Sequence, residues 1–142
     1  MTLADLVGEY YKLEDGFIID KALEPLRVAD IKDGKYAEKH PHHGYRVYIT
    51  RRAVKHFVEE RRRELSKKHK PAEVLTKITF AAEQIEDVVI NFDLYELEPP
   101  EKHFYIKFYS GEPSIRILCE PSGEQRLEIC SIHFQKKKKR KD

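Results

Sequence analysis

The sequence predicts an α+β domain, with two helices packed on one face of a four-stranded antiparallel sheet. Two stretches carry apolar residues at helical spacing: Ala53, Val54, Phe57, Val58 and Leu65, then Val74, Leu75, Ile78, Ala81, Ala82, Ile85 and Val88 or Val89. Four short runs then alternate apolar and polar residues: "VVINFDLYEL", "KHFYIKFYS", "PSIRILCEP" and "QRLEICSIHFQ". Helices followed by consecutive strands place the helices together on one side of a meander.

Before the first helix, "YRVYI" reads as a strand and Thr50 as an N-cap. Arg61 interrupts that helix's apolar stripe and is expected to stretch its stem to solvent. Pro71 suits the first position of the second helix. Residues 1–44 are expected as an N-terminal extension of mixed short elements, residues 45–135 as the α+β domain, and residues 136–142 as a basic disordered tail. Within the extension Thr2 is a candidate cap for a helix through Leu3, Leu6, Val7, Tyr10 and Tyr11, and "GFIID" and "LRVADI" are short strand candidates.

Strand register carries the functional inference. A two-residue turn at Gly111-Glu112 pairs Phe108 with Ile115, Ile106 with Ile117 and Phe104 with Cys119, joining apolar faces. A slip of one residue would set aromatics against charges. This register leaves His103, Tyr105, Lys107 and Tyr109 on the uncovered face, with Lys107 beside Arg116. On the last strand Cys130, Ile132 and Phe134 then face the core, and Leu127, Ile129, Ser131, His133 and Gln135 face away. Ser131 or His133 falls opposite Arg116. Directly opposed cations repel unless an anion lies between them. On the first helix Arg52, His56, Glu59 and Arg63 share one side, bordering the buried stripe.

Bulk properties narrow the classes. Net charge is +2 although 37% of residues are charged, so any polyanion must be met by local clustering. Two cysteines, Cys119 and Cys130, are too few for a disulfide framework and are expected as small core residues. No apolar run spans a membrane and no leader pattern opens the chain, so a cytoplasmic location is expected. His40, His42 and His43 in "KHPHHGY" suggest a metal, but Pro41 and the adjacent histidines make convergence awkward, so a turn-rich surface loop is expected and no metal or cofactor. Glu59-Glu60 and Glu96/Glu98 read as solvated acids, and no phosphate loop or nucleophile elbow is present.

A strand ending in a small hydroxyl residue, a helix with a mid-helix His ("VYITRRAVKHF"), a second helix and a four-strand meander resemble the barnase–EndoU–colicin–RelE group of small metal-independent ribonucleases, in its phage-associated branch. The resemblance covers about residues 45–135 and implies a toxin-like ribonuclease, with RNA as substrate and an antitoxin or immunity protein as partner. Asp87-Val88-Val89 stands where that branch often has a Pro, and Ser131-Ile132 where it often has Thr and an aromatic. RNA cleavage by 2′-OH attack needs proton transfer and charge neutralisation. Histidine serves the first near neutral pH, and Arg forks serve the second. The expected set is therefore His56 and His133 as acid and base, Arg116 and Lys107 on the phosphate, and Tyr105 as stacker or relay. Arg52, Arg63, His103 and Ser131 are expected to contact substrate. The competing expectation is a non-catalytic module that binds nucleic acid or protein.

Overall fold

The structure, a computed structural model, describes residues 1–20 and 22–135. The expected disordered tail, 136–142, lies outside the described residues. Thr2 opens helix α1 (Leu3–Tyr11) with a reciprocal capping box to Asp5. Strands β1 (Leu26–Asp30) and β2 (Arg46–Ile49) flank a loop holding a short 3-10 turn at Ala37–Lys39. Helices α2 (Arg51–Leu65) and α3 (Pro71–Ile90) follow, then β3 (Leu94–Glu98), β4 (Lys102–Tyr109), β5 (Glu112–Gly123) and β6 (Arg126–Gln135).

The class is α+β, as expected. The sheet differs: six strands in the order β1-β2-β6-β5-β4-β3, with β2 parallel to β6 and the other pairs antiparallel. The two additional strands and the third helix come from residues 1–49, where Leu6, Val7, Tyr10, Ala29, Ile31, Val47 and Ile49 join the same buried core as α2, α3 and the meander. The parallel pair joins residues 46–49 to residues 126–129, a contact with no local signature in sequence.

The register of β4 is the one-residue slip that the sequence argued against. Lys107 pairs with Ile115, Tyr105 with Ile117 and His103 with Cys119. Tyr105 is therefore fully buried under the helices, and Phe104 turns to the outer face. The turn falls at Ser110-Gly111, with Gly111 at φ 73°, and an irregularity follows on β5 before Ile115. An aromatic beside an arginine is attractive and favours this register: the Arg116 guanidinium lies 3.9 Å from the Phe104 ring centre. A second irregularity makes Leu118 pair with Ser131 and Cys119 with Ile129, leaving Cys130 as the extra residue. That bulge puts Leu127 and Ile129 on the core side with Ile132 and Phe134, correcting the expected alternation, in which Cys130 faced the core.

Strand lengths leave one more feature. β2 stops at Ile49 because the Thr50 hydroxyl accepts from the Ala53 amide and turns the chain into α2. β6 runs on to Gln135 without β2 beside it, and α2 lies against that stretch. Thr50→Ala should lower stability by about 1 kcal/mol. Urea unfolding should show an earlier midpoint with an unchanged slope.

Candidate functional site

The free half of β6 needs partners for its edge backbone. Arg61 supplies one. Only 6% exposed, it projects from α2 and donates from Nη1 to the Ile132 carbonyl at 3.3 Å. The expectation that Arg61 reaches solvent is thereby corrected. The same Nη1 donates to Nδ1 of His133 at 3.1 Å, and Nη2 meets the exposed Glu64 carboxylate at 3.4 Å. Its Nε is buried without a partner.

His133 is the cross-strand neighbour of Arg116. Arg116 stacks on Phe104, contacts the exposed Glu96 carboxylate at 3.7 Å, and also keeps a buried Nε without a partner. His56 is exposed on α2 and lines the same narrow crevice as Arg61, His133 and Ser131. So two helix residues, His56 and Arg61, meet His133 at the free edge of β6, with Arg116 beside His133 on the neighbouring strand β5.

The electrostatics of His133 follow from this arrangement. Partial burial, then Arg61 and Arg116, hold its pKa below the ordinary histidine value. Arginine only donates, so Nδ1 of His133 accepts and Nε2 carries the proton. His133 is thus a neutral donor at its free nitrogen.

The other expected residues lie elsewhere. Lys107 is turned away from Arg116 because the register puts it on the helix side, where it reaches the Asn91 carbonyl at 3.1 Å and Asp87 at 3.5 Å. Tyr105 and His103 belong to a separate cluster under the sheet. Arg52 and Arg63 are exposed on α2, with Arg63 paired to Glu60 at 3.1 Å.

That separate cluster comes from the histidine loop, which is not a surface loop as expected: His40 and His42 are buried. Nδ1 of His40 accepts from the His42 amide at 2.9 Å, so its Nε2 donates to the Val89 carbonyl at 2.7 Å. Nδ1 of His42 is hydrogen-bonded to the Tyr105 hydroxyl, and the His42 and His103 rings pack edge to face at 4.4 Å. His103 in turn bonds Tyr95 at 2.6 Å. The cluster locks the loop against α3 and β4, satisfying polar groups that burial would otherwise orphan. Among the described residues no group of three or more His, Cys, Asp or Glu is placed to hold a metal ion. Cys130 shares a contact with Glu120 at 3.1 Å, and burial with that carboxylate pushes its thiol up to about 12, far from a reactive thiolate.

Sequence reasoning missed Arg61 and the buried loop. An arginine inside an apolar stripe was the available signal for the first. The second had none, because the partners Val89, Tyr95 and Tyr105 are distant in sequence. No family model, curated protein or solved structure matches the chain. Among the described residues no helix is long and apolar enough to cross a membrane.

Burial, then the neighbouring His103 and His40, push the His42 pKa down to about 4. The unfolded chain therefore binds the proton more tightly, and stability falls as pH drops from about 6.5 toward 4. The full effect of this group is roughly 3 kcal/mol. Urea titrations at pH 7 and pH 5 should show the loss, and His42→Phe should reduce the difference between the two, whatever it does to absolute stability.

Proposed function

We propose that this domain binds single-stranded RNA at the α2–β6 edge and cleaves it without a metal ion. One observation carries the reading: His56, Arg61 and His133, from distant parts of the chain, meet at one narrow crevice, and Arg116 is the cross-strand neighbour of His133. The resemblance to small metal-independent ribonucleases points the same way.

Both guanidinium groups are occupied by long contacts to exposed carboxylates, Glu64 and Glu96. Such contacts hold little energy and are readily exchanged. A phosphate offers a better fork for the same nitrogens. In this reading Arg61 and Arg116 take the scissile phosphate in place of Glu64 and Glu96, and His133 donates from Nε2 to a phosphate oxygen. His56 is exposed and free of that constraint, so it accepts the 2′-hydroxyl proton as the O2′–P bond forms. The P–O5′ bond breaks, and the 5′ oxygen takes a proton from water, because a neutral His133 would have to become an imidazolate to release its Nε2 proton. The products are a 2′,3′-cyclic phosphate and a 5′-hydroxyl end. Tyr105 and Lys107 take no part.

The test is incubation of the full chain with single-stranded RNA in excess chelator. Cyclic-phosphate products are expected, absent when the scissile sugar is 2′-deoxy. His56→Ala should lower kcat/KM by about 10²–10⁴-fold. Arg116→Ala should weaken binding and flatten its salt dependence. An intact RNA that nevertheless binds salt-dependently would replace this reading with the non-catalytic one.

A further inference from the structure

We propose that the open edge of β3 takes an extended, cation-bearing segment of another protein as a seventh strand of the sheet. The edge lies three strands from β6, so the proposal does not depend on the RNA reading above.

Unpaired backbone occurs at β1, at the end of β6 and at β3, and the first two are blunted. β1 is interrupted by an irregularity between Arg27 and Ala29, Arg27 is paired with Asp30 at 2.6 Å, and α3 packs against the strand. The free end of β6 is met by Arg61 and α2. β3 has neither device. Its residues pair with β4 in unbroken register, and among the described residues their backbone groups find partners only there. An edge strand points about half of its N–H and C=O groups outward, a row that templates the addition of a further strand. The side chains do not close this edge. Leu94–Glu98 contains no proline and no lysine, and a leucine stands on each face, Leu94 46% and Leu97 49% exposed.

Charge selects the occupant. Between residues 94 and 101 every charged side chain is acidic: Glu96, Glu98 and Glu101, all exposed. Glu98 and Glu101 have no ion pair among the described residues, and Glu96 has only the 3.7 Å contact with Arg116. Lys102, across from Glu98, stands one strand in, on β4. A second copy paired antiparallel about the middle of β3 would set Glu96 against its own equivalent and Leu94 against Glu98, and like charges directly opposed are unfavourable. Alternation then fixes the pattern of the incoming strand. Leu94, Glu96 and Glu98 share the outer face, whereas Tyr95 and Leu97 share the helix-bearing one. The partner strand therefore carries lysine or arginine on its outer face, opposite the glutamates, and apolar residues on the other, against Tyr95 and Leu97.

The probe is a fluorescent heptapeptide alternating lysine and valine, titrated by anisotropy into the full chain. It should bind, and at saturation hydrogen exchange at the outward amides of residues 94–98 should slow at least tenfold. A peptide of the same residues in blocks, lysines first, carries equal charge without two faces and should bind at least tenfold more weakly. The double variant Glu96→Lys/Glu98→Lys should bind the alternating peptide at least tenfold more weakly than the parent, and should bind the glutamate–valine counterpart that the parent rejects. The comparison of the two lysine peptides on the parent chain supplies the test should that variant fail to fold. No binding of the alternating peptide, equal binding of the block peptide, or exchange slowed at other strands in place of β3 overturns the proposal and leaves the RNA reading standing. Exchange at 94–98 that slows with rising protein concentration and no peptide gives the edge to a second copy of the chain and overturns it equally.

Discussion

The site and the fold share one constraint, a mismatch of strand lengths. β2 contributes four residues beside a β6 of ten. The remainder of β6 presents backbone groups that must be bonded or hydrated. Arg61 answers at Ile132, and in doing so buries a guanidinium beside a strand whose next residue is His133. Everything proposed for the crevice follows from that placement. Remove the mismatch by lengthening β2, and a strand would lie where α2 now lies.

Placing cations this way has a cost. A buried guanidinium loses hydration and regains only part of it through its partners. Arg61 recovers a carbonyl, an imidazole nitrogen and a distant carboxylate, while its Nε and that of Arg116 stay unpartnered. Partly satisfied cations clustered around a neutral histidine stabilise the free protein poorly. They are well suited to an anion that brings several acceptors at once. The imidazole–phenol cluster around His42 is the opposite case. Its contacts are short, buried and mutually satisfying, and its work is to fasten the 36–45 loop over β4 beside the end of α3. Two groups of histidines in one small domain thus do different jobs, and their surroundings decide which.

The helices were legible because their signals are local. Thr50 and Pro71 mark the starts of α2 and α3, and the apolar stripes name the buried faces, Arg61 excepted. β5 was legible for the same reason, its alternation of Ile115, Ile117 and Cys119 holding as read. What was hidden is non-local or irregular. The parallel β2–β6 pairing depends on tertiary closure. The bulge at Cys130 resets the face of half a strand. On β4 both alternating sets contain aromatics, so hydropathy could not choose between them. The choice was made by Arg116 lying on Phe104 and by His42 receiving Tyr105, neither visible along the chain. The same slip decided the site, keeping Arg116 opposite His133 while removing Lys107 and Tyr105 from it.

The most direct test of the central claim is the ¹⁵N resonances of the histidine rings and arginine side chains during titration with a ribonucleoside 3′-monophosphate. The account predicts that His133 starts as the neutral form protonated at Nε2, and that the phosphate moves His133, Arg61 and Arg116 together with His56 while His42 and His103 stay still. A His133 that starts protonated at Nδ1, or a phosphate that leaves Arg61 and Arg116 unmoved, would contradict it.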